Sequence, residues 1–289
     1  MMQALKALQV DPIAQATVEN NQAIQTGAVG AVYLFANSAD LSSLSAPISS
    51  QAVAAASHGG ATFYGPNPWN TLGASGFGSS LSFGDFNNTN SNSILAIGAS
   101  QTGGSGAVYL LDTRQGFMQS AANQADWLKA LNLQQGNQYL AHLVSGLTLY
   151  GAASADNFGN GLLNLGDVND DGYQDLLIQS YNASAGAGNG YVLFGSDQLN
   201  VTDSDSKPNP ASGNVAADAI GQLQRADGTT VTVPILSELG YGNQGYTGQG
   251  SNGSGDINGD GLNDVPLGSG SNGSSYLTWG HSYLEAIDN

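Results

Sequence analysis

The sequence predicts an all-β fold built from β-propeller blades, each a four-stranded antiparallel sheet, with about three full blades and one partial N-terminal blade. The first reason is a repeat: four similar apolar segments, led by Gly30, Gly106, Gly190 and Gly273, recur at intervals of 76, 84 and 83 residues. The second is that Gly, Asn and Ser clusters bound the short apolar runs, which is typical of strands. The third is an acidic loop that recurs ahead of three of these runs. A period of tens of residues with four strands in each unit favours a propeller.

Each repeat unit is predicted to run strand, acidic loop, strand, Gly-rich turn, strand, and then an outer strand. The segments that follow the Gly-rich turns are Gly30–Phe35, Gly106–Leu111, Gly190–Gly195 and Gly273–Thr278. The strands ahead of the turns are predicted at Asp11–Ala16, Ser93–Gly98, Asp175–Ser180 and Asp264–Ser269. Outer strands are predicted at Ala61–Tyr64 and Leu147–Tyr150.

These elements divide the chain into units at residues 1–45, 46–118, 145–200 and 230–289, with inserts at 119–144 and 197–229. The first insert contains Trp127, Leu128 and Leu131 at helical spacing, which predicts a short surface helix within Gln119–Leu133. In the second insert, the stretch Asp197–Val215 is polar and contains two prolines, which predicts a loop.

The first unit is predicted to be incomplete. Asp11 aligns with Asp175 and Asp264, so residues 1–10 stand where the first strand and the acidic loop of the other units lie. A blade without its first strand exposes a sheet edge, and an exposed edge tends to pair with another chain. We therefore expect a protein partner that completes the partial blade, either identical copies or a companion fragment, in a filament, sheet or composite propeller.

The composition excludes several classes of function. The formal net charge is -17 with only five Lys and Arg, so nucleic acid, which needs basic residues to displace its counterions, is not an expected partner. The absence of Cys excludes disulfides, thiol catalysis and Cys-ligated metals. No apolar run reaches the ~20 residues of a membrane span, and residues 1–10 lack the apolar stretch of a secretory signal. The acidic, Gly-, Asn- and Ser-rich composition favours an extracellular or cell-surface location.

Two acidic loops share the pattern D-x-N-x-D-G-x-x-D and are predicted to bind Ca²⁺. This hard cation takes about six to eight oxygen ligands, which alternate residues of a tight loop can supply. Side-chain oxygens are expected from positions 1, 3, 5 and 9, and a main-chain carbonyl from position 7. The predicted ligands are Asp167, Asn169, Asp171, Tyr173 and Asp175 in one loop, and Asp256, Asn258, Asp260, Leu262 and Asp264 in the other. Gly172 and Gly261 at position 6 permit the positive φ of the reversal.

Asp, Asn and Gly are also ordinary turn residues, so a single short match would indicate only a turn. Two matches at equivalent places in a repeat favour a metal site instead. An EF-hand is excluded, because it needs Glu at position 12 of the loop. That position falls on Ile178 in one loop and on Leu267 in the other, and both lie in predicted strands.

A third loop, Asp85–Ser93, departs from the pattern. It keeps Asp85 and Asn87 but has Thr89 and Ser93 where the other loops have Asp at positions 5 and 9. One carboxylate is too few to hold Ca²⁺ firmly, and Asx side chains in such loops commonly bond the backbone instead. This loop is therefore predicted to be an Asx-type turn without metal.

The units resemble the FG-GAP repeat, the blade unit of the integrin α-subunit N-terminal propeller and of many bacterial surface proteins. The matching stretches are Phe77-Gly78, Gly84-Asp85, Ile97–Ala99 and Gly106–Tyr109; Phe158-Gly159, Gly166-Asp167, Asp175–Ile178 and Gly190-Tyr191; and Gly255-Asp256 with Asp264. The resemblance implies a β-propeller with calcium between the first and second strands of a blade. It also implies that the calcium is mainly structural and that the propeller serves adhesion or protein recognition. The first unit lacks the loop, and the last lacks a clean Phe-Gly pair.

No catalytic centre is predicted. His58, His142 and His281 lie in different units, and the G-x-S-x-G nucleophile motif is absent. The best-defined Asp residues are already assigned to metal. The chain is therefore expected to be a non-enzymatic, calcium-stabilised extracellular propeller segment that acts in adhesion, protein recognition or surface and filament assembly.

The alternative is a polysaccharide-binding lectin or a polysaccharide-degrading propeller enzyme. Tyr64, Trp69 and Trp279 could line a sugar site, and a surface glycan would then be a partner. Aromatic residues in a propeller more often pack between strands, so the non-enzymatic function is preferred to this alternative.

Overall fold

The structure is a computed structural model, and it describes residues 6–10, 31–35, 61–64, 76–87, 94–101, 104–112, 146–182, 188–199, 211–214, 220–225, 229–239, 254–268 and 275–282. Strands dominate these ranges, and no helix of seven or more residues occurs within them. The strands are β1 (Lys6–Val10), β2 (Ala31–Phe35), β3 (Ala61–Tyr64), β4 (Phe77–Gly84), β5 (Ile94–Ala99), β6 (Ala107–Asp112), β7 (Gly146–Tyr150), β8 (Phe158–Gly166), β9 (Asp175–Ser180), β10 (Asn189–Leu193), β11 (Ala211–Asn214), β12 (Ile220–Arg225), β13 (Thr230–Leu239), β14 (Val265–Gly268) and β15 (Ser275–Thr278). A short 3-10 helix, Asp197–Leu199, follows β10.

The strands form three sheets. One has the order β1-β2-β3, one has ten strands in the order β4-β5-β6-β7-β11-β12-β13-β10-β9-β8, and one pairs β14 with β15. Neighbouring strands are antiparallel except β7 and β11, which are parallel. The prediction of an all-β fold of antiparallel sheets is confirmed for the described residues.

Four repeat units can be followed through these sheets. Unit 1 is β1-β2-β3, unit 2 is β4-β5-β6-β7, and unit 3 is β8-β9-β10-β13. Unit 4 is the β14-β15 pair, extended by an antiparallel bridge between Gly255 and Asp264. The predicted outer strands are confirmed, since β3 pairs with β2 and β7 pairs with β6.

The strand registers of the units are equivalent. The second, third and outer strands align at Val10–Ala31–Tyr64 in unit 1 and at Ala99–Ala107–Tyr150 in unit 2. The first and second strands meet at Gly84–Ile94, Gly166–Asp175 and Gly255–Asp264 in units 2, 3 and 4. Residues at the same place in two units can therefore be compared one by one.

In unit 1 the structure corrects the position of a strand. The sequence predicted that Asp11–Ala16 would precede the Gly-rich turn as a strand, but β1, at Lys6–Val10, pairs with β2. Val10 pairs with Ala31 at the place where Ala99 pairs with Ala107 in unit 2, so Lys6–Val10 holds the second-strand position of unit 1. Residues 11–16 themselves lie outside the described residues.

The second insert is not only a loop, as Asp197–Val215 was predicted to be. It contains β11 and β12, which join the outer strand β7 of unit 2 to the outer strand β13 of unit 3. Leu223 of β12 is fully buried in the core, which gives this polar segment an apolar anchor. The helix predicted within Gln119–Leu133 lies outside the described residues.

Each sheet contributes to a different hydrophobic cluster on each of its two faces, because successive residues of a strand point to opposite sides. In β9, Leu176 and Ile178 pack in one cluster with Ile94 of unit 2. Leu177, between them, packs in another cluster with Val265 of unit 4. We call the face of a unit that packs on the unit before it the leading face, and the face that packs on the unit after it the trailing face.

Candidate metal loops

The two acidic loops, at 167–174 between β8 and β9 and at 256–263 before β14, fold in the same way. The position-1 carboxylate binds successive main-chain N–H groups at positions 4, 5 and 6. In one loop Asp167 Oδ1 accepts from Asp170 and Asp171, and its Oδ2 accepts from Gly172 at 3.0 Å. In the other, Asp256 accepts from Gly259, Asp260 and Gly261. The equivalent positions of the two loops therefore have equivalent hydrogen bonds.

Positions 3 and 5 are brought together in both loops. Asn169 Nδ2 donates to Asp171 Oδ2 at 3.0 Å, and Asn258 Nδ2 donates to Asp260 Oδ2 at 2.9 Å. Tyr173, predicted to offer its carbonyl, is half-buried, and its N–H donates to Asp171 Oδ1 at 2.8 Å.

Leu262 is the matching position-7 residue of the second loop. It is also half-buried, and its N–H donates to Asp260 Oδ1 at 2.9 Å. The prediction of positive φ at position 6 is confirmed, with 88° at Gly172 and 96° at Gly261. Position 4 is left-handed as well, with φ of 63° at Asp170 and 80° at Gly259. Asp is one of the few residues besides Gly that adopts this conformation readily.

Position 9 has a structural role that the sequence did not predict. Asp175 is fully buried, and its Oδ2 accepts from Val168 N at 2.8 Å while its Oδ1 accepts from Gly195 N at 2.9 Å. The carboxylate thereby connects the start of its loop to the residue beyond the third strand. The repeated aromatic-Gly pair at the end of that strand, Phe194-Gly195 and Trp279-Gly280, is the sequence feature that could have indicated this partner.

Asp264 repeats these contacts in unit 4. It is fully buried, its Oδ2 accepts from Ile257 N at 2.7 Å, and its Oδ1 accepts from Gly280 N at 2.9 Å. Position 9 therefore combines a predicted metal ligand with a buried main-chain contact in both units.

The electrostatic environments of the loop carboxylates differ. Burial is the main cause that raises the pKa of Asp175 to about 8, the charges of Asp171 and Asp167 act in the same direction, and the two main-chain hydrogen bonds oppose it. Asp260 is exposed, and its pKa is lowered chiefly by the N–H that Leu262 donates. The ionised form of Asp175 is therefore costly unless a cation lies nearby.

The donor set suits a hard cation, but the carboxylates do not converge in the structure. Within the described ranges, no group of three or more His, Cys, Asp or Glu side chains is placed to hold a metal ion. Positions 1 and 5 are exposed or half-buried and use their oxygens for loop N–H groups, whereas position 9 is held by two buried donors. A bound cation would thus require the side chains at positions 1 and 5 to turn toward position 9.

The third loop is longer than the other two. Eight residues lie between Gly166 and Asp175, whereas nine lie between the paired Gly84 and Ile94. The buried Ile94, and not Ser93 as the sequence alignment predicted, therefore holds the place of Asp175. Residues 88–93 lie outside the described residues, Thr89 among them. An apolar residue at position 9 adds to the reasons for expecting no metal here.

The same main-chain hydrogen bonds join consecutive units at these loops. Gln174 N donates to Asp85 O at 3.4 Å and Ser196 N donates to Phe86 O at 2.9 Å between units 3 and 2. The equivalent pairs between units 4 and 3 are Asn263 N to Asp167 O at 3.4 Å and His281 N to Val168 O at 2.8 Å. The loops that begin at Asp85 and Asp167 therefore also form part of the contact with the next unit.

The Phe-Gly pairs begin the first strands of units 2 and 3, and the Phe158-Gly159 pair lies at the contact between these units. Phe77 and Phe158 are buried, and the glycines after them, Gly78 and Gly159, both have φ of 81°. Ser80 Oγ donates to the carbonyl oxygen of Gly159 at 2.8 Å. The pair thus places a buried ring and a left-handed turn at the start of each first strand.

The structure describes only some of the candidate residues outside the loops. His281 takes part in the contact between units 4 and 3, and Trp279 is half-exposed. His58, His142 and Trp69 lie outside the described residues, and of Tyr64 only the position in β3 is described. No grouping of these residues into a sugar or catalytic site follows from the described part of the chain.

No known protein family matches the chain. No curated protein is significantly similar to it in sequence. Among the described residues there is no helix long and apolar enough to cross a membrane.

Proposed function

We propose that this chain is a calcium-stabilised β-propeller segment of an extracellular or cell-surface protein of the FG-GAP type. It acts without catalysis in adhesion, protein recognition or assembly into surface structures and filaments. The observation that carries the proposal is the pair of D-x-N-x-D-G-x-x-D loops, which occupy the same place in two consecutive units and have equivalent hydrogen bonds.

Three features support calcium as the cofactor. The loops offer carboxylate, amide and carbonyl oxygens, which hard cations prefer. Burial makes the charge of Asp175 costly in the absence of a cation, and the chain carries a net charge of -17 that cations would reduce. One ion would be held by Asp167, Asn169, Asp171, Asp175 and the carbonyl of Tyr173. The other would be held by Asp256, Asn258, Asp260, Asp264 and the carbonyl of Leu262.

Two features support the propeller. Units 2, 3 and 4 are joined by equivalent main-chain hydrogen bonds, so the contact between units 2 and 3 recurs between units 3 and 4. Units 2 and 3 each contain four antiparallel strands, and unit 3 packs on unit 2 through one face and on unit 4 through the other. Such a succession of units is expected in a propeller, where β11 and β12 would be an addition that links the outer edges of two blades.

We expect calorimetric titration with Ca²⁺ to find two sites in the wild-type protein. Extracellular calcium modules bind with dissociation constants of roughly 10⁻⁴–10⁻³ M. At a free concentration about ten- to a hundredfold above that constant, each site would stabilise the fold by about 1.4–2.7 kcal/mol. Asp171→Ala and Asp260→Ala each remove the position-5 ligand of one loop, so each variant should retain one site.

Asp85→Ala is the matched control, because it removes the position-1 carboxylate of the loop without the metal pattern. It should keep both sites and cost at most about 1 kcal/mol, the contribution of one turn hydrogen bond. Three sites in the wild-type protein, no sites at all, or loss of a site in Asp85→Ala would contradict the assignment.

The rival function, a lectin or polysaccharide-degrading enzyme, draws on the half-exposed Trp279. A glycan array and a polysaccharide hydrolysis assay on the calcium-loaded protein separate the two proposals. Binding or cleavage that Trp279→Ser abolishes, with the melting temperature unchanged, would favour the rival. Absence of both activities in a protein that binds two calcium ions would favour the non-catalytic function.

A further inference from the structure

The outer surface of unit 4 is unusually apolar. The exposed large hydrophobic side chains of the described residues are Ile257, Leu277 and Trp279, with exposed fractions of 61%, 37% and 50%. All three belong to unit 4. Apolar groups gathered on one surface commonly mark a contact with another protein.

The equivalent residues of unit 3 are buried. By register and by the shared contacts of Asp175 and Asp264, Val168 corresponds to Ile257, Val192 to Leu277, and Phe194 to Trp279. Val168, Val192 and Phe194 are at most 2% exposed and lie in one cluster with Val265 of unit 4. The three exposed residues therefore form the trailing face of unit 4.

The same relation holds one unit earlier. Phe86 of unit 2 corresponds to Val168 and is 1% exposed, in a cluster that includes Leu176, Tyr191 and Leu193 of unit 3. Trailing faces of units 2 and 3 are thus covered by the leading face of the next unit. Trp279 is half exposed, so none of the described residues fully covers the trailing face of unit 4.

We propose that the trailing face of unit 4 binds unit 1 of a second copy of this chain, head to tail. The β1-β2-β3 register of unit 1 matches that of the corresponding strands of unit 2, whose order and pairing are the same. Its leading-face register positions are occupied by Lys6, Leu8, Val10, Tyr33 and Phe35, which correspond to Leu95, Ile97, Ala99, Tyr109 and Leu111 of unit 2. The contact would therefore continue the series that joins units 2, 3 and 4 within one chain.

Polar groups complement this apolar contact. In the contact between units 3 and 4, the carbonyl oxygens of Asp167 and Val168 accept main-chain N–H groups. The corresponding acceptors on the trailing face of unit 4 are the carbonyl oxygens of Asp256 and Ile257. Lys6 occupies the register position of Val265, so the second copy brings one of the five basic residues of the chain toward the acidic loop of unit 4.

This association is heterologous, since it joins two different surfaces, and it produces a ring or an open filament according to the rotation between copies. The inference rests on the assembly role in the proposed function, but it makes no use of the metal. Calcium titration tests the proposed metal sites, and sedimentation tests the self-association. Either result can therefore contradict its own proposal without affecting the other.

The test is sedimentation velocity of the full chain, loaded with calcium, over a concentration series. We expect reversible self-association, and Trp279→Ser and Leu277→Asp should each weaken it by roughly tenfold or more, as expected for residues at the centre of an interface. Thr232→Asp adds the same charge at an exposed position of β13 and should leave the association within about twofold of wild type. Melting temperatures that match wild type confirm that the variants are folded.

Cysteine pairs then test which surfaces meet, because the chain contains no other cysteine. A mixture of Leu277→Cys and Lys6→Cys proteins, oxidised with oxidised glutathione, should form heterodimers, and neither protein alone should form dimers to a similar extent. Dimers of Leu277→Cys alone would overturn the head-to-tail arrangement. A wild-type protein that binds two calcium ions and remains monomeric would overturn the inference while leaving the calcium sites in place.

Discussion

Asp175→Ala is expected to destabilise the calcium-loaded protein by about 3–5 kcal/mol, more than any single loop substitution considered above. The carboxylate is fully buried and accepts the N–H groups of Val168 and Gly195. Its removal leaves both donors buried without an acceptor and removes a proposed calcium ligand. Chemical denaturation at saturating calcium gives the free energy of unfolding directly.

Two further variants identify the cause of this loss. Asp175→Asn keeps one acceptor oxygen but turns an amide donor toward the other N–H group, so an intermediate loss is expected. Asp197→Ala removes a carboxylate of the same charge from an exposed position and should change stability by no more than about 0.5 kcal/mol. Equal effects of Asp175→Ala and Asp197→Ala would show that the buried contact contributes nothing.

Gly195→Ala and Gly280→Ala are each expected to destabilise the protein by about 1–3 kcal/mol. A Cβ atom at Gly195 would meet the carbonyl oxygen of Gln174 and the Cβ of Tyr173, and one at Gly280 would meet the carbonyl oxygen of Asn263. These atoms belong to the backbone or lie next to it, so they cannot turn aside. The end of each acidic loop would have to move away from the segment that follows the third strand of the same unit, and the melting temperature measures that loss.

Gly255→Ala is the matched control for these substitutions. A Cβ there has no neighbouring atom within 4 Å, and the residue does not have positive φ. The change is therefore expected to be neutral or to stabilise by about 0.4–1 kcal/mol through the unfolded chain. If Gly255→Ala destabilised the protein as much as Gly195→Ala did, the close approach at Gly195 would not be the cause.

Local patterns allowed much of the fold to be predicted. Outer strands were identified as short apolar runs, and the loops were identified by a repeated pattern in which Gly172 and Gly261 have the positive φ expected at position 6. Such features depend on residues within a few positions of one another. Ile178 and Leu267 lie in β9 and β14, which confirms that position 12 belongs to a strand.

Other features depend on contacts between distant residues, and the sequence did not indicate them. Ala211–Asn214 has no strand pattern of its own and becomes β11 by pairing with the edge of β7. The buried role of Asp175 requires Gly195, which is distant in sequence. Ser93 was misplaced because alignment by Asp85 alone does not reveal the extra residue in that loop.

Strands β11 and β12 are expected to slow the local unfolding of the outer strands β7 and β13. Because these strands make units 2 and 3 parts of one sheet, neither outer strand can separate without breaking hydrogen bonds on its second edge as well. Main-chain amides of β7 and β13 should therefore exchange with solvent as slowly as those of inner strands, in one cooperative block. Unit 4 belongs to a different sheet, so its amides should exchange earlier and independently of that block.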